Sequence, residues 1–310
     1  MTERPVSARP PTLQTPDVIL QRIETLTPDE TMSTFFALAA TPADLASHCG
    51  VERRSGGIDP VYRISAVDST NRLIRDLAGE GAGPGLAVVA DHQTAGRGKG
   101  KRFWFSEPGK GFALSLLLRP ERPVEEVPQL TLVLGVAVAE AIVQATGVAA
   151  ELKWPNDILV DGRKLCGILC ELVLTPEGDM AHVIAGIGLN VNVKASDFPQ
   201  ILEGIATSLA IEAGRTIDSE AVLSAVFDSV ERWMRRWEDE GFDPIRQAWI
   251  ARSCTIGREI SFDAGDARCR GVATDLGPDG SLSIRDGGGA LHRFYYGEAC
   301  HSPAIASVAR

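Results

Sequence analysis

The chain lacks most of the short patterns that announce a chemistry on their own. None of its six cysteines, at 49, 166, 170, 254, 269 and 300, forms a CxxC pair, and no histidine stands near enough to complete a zinc site. Reduced thiols in a cytosol are the expectation. There is no GxxxxGK(S/T) loop and no GxGxxG opening a helix, so neither common phosphate cradle is present. The opening stretch MTERPVSARPPTLQTP has no apolar core of the kind a signal peptide needs. The longest apolar run, Leu132 to Ala139, is too short to span a bilayer. Basic charge is also in deficit: 31 Lys and Arg against 41 Asp and Glu leave a net charge of −10. Such a molecule as a whole repels nucleic acid and anionic membrane. A soluble, cytoplasmic protein that binds neither membrane nor DNA is expected.

What is there is ordinary globular composition, 44% hydrophobic and 23% charged over 310 residues. That is enough for a sizeable core and more than one domain. Residues 1–16 hold four prolines and no periodicity, which reads as a disordered tail. Residues 17–62 have only weak amphipathic stretches, at 18–23 and 42–48. A winged helix-turn-helix needs about 60 patterned residues and a basic recognition helix. The only basic pair at this end is Arg53-Arg54.

From Tyr62 the pattern sharpens. Asp68 or Ser69 can cap a helix whose apolar face is Leu73, Ile74 and Leu77, ending at Gly81. A strand at 86–90, a loop at 93–105 and a strand at 112–118 follow. Residues 128–147 read as a buried helix with Glu140 and Gln144 toward solvent and Gly147 ending it. Two strands then flank a turn at Asp161-Gly162, a third covers 182–193, and a long helix fills 218–241. Strands and helices mix without regular βαβ alternation, so the fold class is α+β. Short β-like runs at 259–262, 269–274, 281–284 and 291–295 predict a small antiparallel barrel or sandwich at the end of the chain.

Four segments carry the chemistry. In QTAGRGKGKRFW, four cations (Arg97, Lys99, Lys101, Arg102) and three glycines fall within seven residues, with no acid among them. Glycines let backbone N–H groups approach a ligand, and fixed cations neutralise phosphate oxygens. A solvated basic turn has the same composition, but Trp104 at its end supplies a flat stacking surface. In KWPND, Lys153 with Asn156-Asp157 after a proline turn suits phosphates and a divalent cation, although such turns are commonplace. Lys164, just after the turn, would sit at a sheet edge, where it could be catalytic or simply an edge lysine that blocks aggregation. Glycines inside the strand GIGLNVN mark close approach of a ligand or a bulge. Singly, these reach an anionic, phosphate-bearing ligand and no further.

Taken together, DSTN, QTAGRGKGKRFW, KWPND, GRKLCGI and GIGLNVN, in that order, resemble the biotin–protein ligase family over roughly residues 62–300. The resemblance implies a central mixed-sheet catalytic domain of the biotin/lipoate ligase type at 62–252. It also implies an SH3-like β-barrel at 253–310, after an N-terminal extension at 1–61 with no clear DNA-binding domain. Biotin and ATP would be substrates, with Mg²⁺. Biotin would be activated to biotinyl-5′-AMP and passed to one lysine of a biotin carboxyl carrier domain. By motif position, Ser69, Thr70, Asn71 and Gln93 would hold the biotin ureido ring. Arg97, Gly98 and Lys99 would close over biotin and the adenylate, with Trp104 and Gly167 beside them. Lys164 would meet the biotin carboxylate and the α-phosphate, and with Arg97 form the catalytic pair. Lys99, Lys101, Arg102, Lys153, Asn156, Asp157 and Asn190 would serve ATP, Asp157 also the metal.

One departure stands out. The family loop usually reads GRGRxGR, and here it is GRGKGKR. Lys99 keeps the charge but not arginine's bidentate fork, so adenylation is expected to survive with looser retention of the adenylate. Lipoate or octanoate transfer is the nearest rival and a biotin-responsive repressor the next. The resemblance leaves a homodimer open.

Overall fold

The computed structural model describes residues 45–46, 49–100, 102–264 and 267–301. The expected tail at 1–16, the stretch at 18–23, most of 42–48, and Lys101 lie outside them. Helix α1 (Thr70–Gly79) links two parallel strands, β2 (Val61–Val67) and β3 (Ala87–Gln93). Leu73, Ile74 and Leu77 recur at helical spacing and are buried against the sheet. Each such side chain contributes roughly 1.5–3 kcal/mol when fully removed from water. Every other pairing in the sheet is antiparallel. With β1 (Gly50–Glu52), β4 (Gly111–Leu118), β5 (Glu151–Lys153), β6 (Asp157–Val160), β7 (Arg163–Leu174) and β8 (Met180–Asn190), the order is β1-β2-β3-β4-β8-β7-β6-β5. The β6–β7 hairpin turns on Asp161 and Gly162, both at positive φ (47° and 77°). That geometry is natural for glycine and tolerated by aspartate in a two-residue turn.

The other face of the sheet is covered by α2 (Leu130–Thr146), which follows a 3-10 turn at Val124–Gln129. It packs with α4 (Ser219–Glu240) and α5 (Asp243–Ala251); a short α3 (Leu209–Ala213) precedes them. Asp218 caps α4 by accepting from the N–H groups of Glu220 and Ala221. Taken with its 3-10 turn, the α2 segment Val124–Thr146 is apolar enough over 23 residues to pass for a membrane span, but 72% of its apolar window is buried inside the fold. The strict apolar run read from the sequence understated that length.

Strands β9 (Glu259–Ala264), β10 (Ala267–Leu276), β11 (Leu282–Asp286), β12 (Leu291–Phe294) and β13 (Glu298–His301) form a second antiparallel sheet, ordered β12-β11-β10-β9-β13. Its edge strands β12 and β13 are not paired with each other among the described residues, so the small β unit curls without closing. Trp154 joins the two sheets. Its ring is buried 5.7 Å from that of Phe262, and its Nε1 donates to the Gly280 carbonyl at 3.1 Å.

Several expectations are corrected. Strand β2 was not foreseen, because Arg63 and Ser65 interrupt its apolar pattern; Arg63 is neutralised by Glu52 and Glu220. Helix α5 buries only Ile245 and Trp249, too little for a visible period. Glu140 is only partly open to solvent, because it accepts from Arg232 and from the Trp233 Nε1 of α4. Lys164 is not at a sheet edge. On one side it pairs with Leu159 of β6, and on the other its backbone bonds residues 205 and 207.

Fully buried Trp237 donates from Nε1 to Gln129 Oε1 at 2.8 Å, tying α4 to the start of α2. Replacing it with alanine leaves a large cavity and an unmet buried amide, and is expected to cost about 3–5 kcal/mol. A urea midpoint shift read by far-UV circular dichroism measures this.

Candidate active site

Register across the sheet builds the floor of the site. Ala113 of β4 lies opposite Gly188 of β8, which lies opposite Gly167 of β7; in the next row but one, Ser115, Gly186 and Leu169 align. Side chains alternate across a strand, so Ala113, Gly188 and Gly167 make a trough almost free of side chains on the α1 side of the sheet. Trp104 fills it: a Cβ at Gly188 would overlap its indole ring, and one at Gly167 would press against it. A Cβ at Gly186 would strike the amide of Asn71. The glycines of GIGLNVN thus serve close approach and not a bulge.

Above this floor opens a narrow cleft of about 90 Å³. Its inner end is neutral and polar. The Thr70 N–H and hydroxyl donate to Gln93 Oε1 at 2.8 and 3.1 Å, leaving the Gln93 Nε2 as a donor for a ligand. Ser115 Oγ donates to Asn71 Oδ1 at 2.6 Å and lies 2.7 Å from the Thr70 hydroxyl. Ser69, at the start of α1, is buried and lines the same end. These positions follow from the α1 N-terminus abutting the end of β3.

The outer part of the cleft is cationic. The loop after β3 folds back on itself through the Arg97–Phe103 bridge and the Trp104 N–H donating to the Gly96 carbonyl. That places Arg97, Gly98, Lys99 and Arg102 along the cleft wall. Lys99 Nζ donates to the Gly297 carbonyl at 2.9 Å, joining the loop to the C-terminal sheet. Lys164 Nζ lies 2.6 Å from Asp157 Oδ1 and 5.7 Å from the Trp104 ring centroid. Asn156 also lines the cleft, but its Nδ2 and carbonyl pair with Ile168 as a strand residue would.

A second, wider cleft of about 690 Å³ shares Arg102, Phe103, Trp104, Asp157 and Lys164 with the first. Lys153 and Asn190, apart in sequence from the loop, line it together with the aromatic rings of Phe105 and Phe198. Asn190 is buried and donates to the Thr207 carbonyl at 3.0 Å. Of the residues singled out in the sequence, these two lie beyond the first cleft and Lys101 is not described; the rest line one space.

Residues 64–190 match the model of the biotin/lipoate A/B protein ligase family. The bifunctional ligase/repressor BirA of Bacillus subtilis is 40% identical over 218 residues, 70% of this chain and 67% of that one. The biotin–[acetyl-CoA-carboxylase] ligase of Paracoccus denitrificans is 35% identical over 230 residues, covering 72% of this chain and 92% of that one. The chain belongs to the biotin–protein ligase family. Its fold also matches a solved biotin protein ligase from Aquifex aeolicus, in complex with biotin and ATP. There the TM-score is 0.69 and the identity 29%, over 78% of this chain and 99% of that one.

Sequence reasoning missed Glu171. The Asn71 Nδ2 donates to its Oε2 at 2.8 Å, and both Arg75 and Arg97 pair with it, at 3.0 and 3.1 Å. A signal was present: it is the one acid in the apolar strand KLCGILCELVL, two alternations beyond Gly167 and therefore on the cleft face. Desolvation alone would raise its carboxyl, but the Asn71 hydrogen bond and the two guanidinium groups outweigh that and hold it below the ordinary carboxylate range.

Of the thiols near the site, Cys166 is buried and Cys170 partly so. Cys166 faces the core side of β7 and is pushed far up, and burial pushes Cys170 up to about 11 despite a hydrogen bond with Thr131. Burial favours the neutral thiol, so Cys166, fully enclosed, should resist iodoacetamide at pH 7.5 under native conditions. Thiol contributions to stability fall as pH rises from the ordinary unfolded value of about 8.5 toward these raised values. Alkylation mapped by peptide mass spectrometry, native against urea-unfolded, checks the protection.

Proposed function

We propose that the double cleft activates biotin with ATP and transfers the biotinyl group to one lysine of a biotin carboxyl carrier domain. One observation carries this: fixed cations from two separate segments, the basic loop and Lys164, meet at the seam of two contiguous clefts, one ending in buried neutral polar groups. The neutral end suits a flat ureido ring. Ser69, Thr70, Asn71 and Gln93 offer donors and acceptors there without a charge that an uncharged ring would leave unpaired. The wider cleft, with Lys153, Asn190, Phe105 and Phe198, suits the nucleotide, its aromatic rings offering stacking surface.

In the first step a biotin carboxylate oxygen bonds to the α-phosphorus and pyrophosphate leaves. Negative charge accumulates where Lys164 and Arg97 can stabilise it, with Lys99 and Arg102 toward the phosphates. In the second, the acceptor amine bonds to the activated carbonyl carbon and AMP leaves. Mg²⁺, when bound, would offset the charge of the phosphates. Among the described residues no cluster of three His, Cys, Asp or Glu side chains could hold a metal alone. That fits Mg²⁺, which keeps its waters and takes one or two carboxylates plus substrate phosphates. Asp157 at the seam, with Asn156 beside it, is the proposed protein ligand. We take 62–252 as the catalytic unit and 253–310 as the C-terminal one.

The same reading places the enzyme in the cytoplasm, supported by free thiols at Cys49, Cys166, Cys170, Cys254 and Cys269. It invokes no DNA. Arg53 pairs with Asp59 and Arg54 with Asp228, so the one basic pair near the N-terminal end is neutralised within the fold.

Intact mass spectrometry after incubation with biotin, Mg·ATP and a biotin carrier domain tests the function, with a lipoate carrier as control. A biotin mass shift on the first acceptor only, lost in Lys164→Ala, is expected. A shift on the lipoate carrier, or none on either, defeats the reading. Lys99→Arg would add a forked donor to the loop and should slow release of the adenylate; equal release from both proteins would count against that role for Lys99.

A further inference from the structure

Glu171 has no part in the chemistry just described, yet it ties together the two elements that enclose the inner cleft. Asn71 and Arg75 stand four residues apart on α1, on one face of the helix, and both reach its carboxylate. From the other side Arg97 of the basic loop forks onto the same group, with nitrogen–oxygen distances of 3.1 and 3.4 Å. The Glu171 side chain is 17% exposed and Arg97 45%, so a fixed acid on rigid β7 holds a loop that is otherwise open to solvent. Asn71 is oriented by the same contact. Its Nδ2 donates to Glu171 and to the Leu169 carbonyl, which turns Oδ1 toward Ser115.

We infer that Glu171 is a positioning residue that clasps the closing loop through Arg97 and, with it, sets how long biotin and its adenylate stay in the cleft. This inference rests on the ligase reading above. Lys99 fastens the loop to the C-terminal sheet, whereas the Glu171 clasp fastens it to the floor on which the ligand lies. Glutamine at 171 keeps the shape and an acceptor for Asn71 but removes the charge that Arg97 needs. The loop should then open faster, while Lys164 and its partner Asp157 stay in place.

The test uses the full chain loaded with labelled biotin and Mg·ATP, chased with unlabelled biotin, alongside steady-state kinetics with the carrier domain. Glu171→Gln is expected to raise both the adenylate release rate and the KM for biotin about tenfold, within the range of coupling between contacting residues. The kcat should fall less than in Arg97→Gln, because the guanidinium stays beside the cleft, and the thermal midpoint should change little. Arg97→Gln, which also removes a cation facing the ligand, should raise release at least as much, and adding Glu171→Gln to it should raise release no further. Unchanged release in Glu171→Gln, or effects that multiply in the double variant, would overturn the clasp. Should Glu171→Gln fold poorly, Glu171→Asp, which keeps the charge but withdraws it from Arg97 by one methylene, still reads the contact; native-like release from it refutes the inference. A native chain that forms no adenylate at all refutes the ligase reading along with it.

Discussion

The structure depends on one strand that serves two faces at once. Along β8, Val183, Ala185, Ile187 and Leu189 are buried in the main core, while the intervening Gly186 and Gly188 carry no side chains toward the cleft. An apolar residue at either glycine would improve the strand by propensity but would occupy the room that Asn71 and Trp104 take. The core face holds α2 and, through it, α4 and α5. The bare face lets α1 and the basic loop descend onto backbone. Because Ala113 and Gly167 stand in register on the neighbouring strands, the trough runs across three strands, and its width is set by pairing geometry.

Charge is arranged around that trough so that four cations of the cleft already have an oxygen partner: Lys164 has Asp157, Arg97 has Glu171, Lys99 the Gly297 carbonyl and Arg102 the Lys99 carbonyl. Holding cations this way keeps their positions fixed before an anion arrives, which is what stabilising developing charge requires. It also means that a ligand must compete with existing contacts, so affinity reflects a difference between two sets of ion pairs. The C-terminal sheet takes part in this balance, since both Trp154 of KWPND and Lys99 of the loop end against it.

Much of this was legible in the sequence, for definable reasons. The α+β class, α1 with its Leu73, Ile74 and Leu77 face, and the Asp161-Gly162 hairpin follow from local periodicity and turn chemistry. The loop and Lys164 were legible as chemistry because cations and glycines crowd into few residues. Long-range register was not legible: nothing local says that Ala113 aligns with Gly188, or that residues 205–207 close the other side of Lys164. Glu171 fell between the two. Its strand and its face could be read, but its partners Asn71, Arg75 and Arg97 come from segments about 70 to 100 positions away, the separations of 74, 96 and 100 being visible only in the fold. Trp154 shows the converse, a residue inside a motif whose duty is to join two sheets.

Helix α2 carries a consequence of its own. A segment apolar on nearly every side can be tolerated only where the protein surrounds it, and here the sheet, α4 and α5 do so. Any partial unfolding that lifts these neighbours away would present water with an apolar surface of membrane-spanning length. Such surfaces associate with one another more readily than they refold at high protein concentration. The same burial that anchors the cleft floor therefore makes the opened chain sticky, and ties recovery of this enzyme from denaturant to how dilute it is kept.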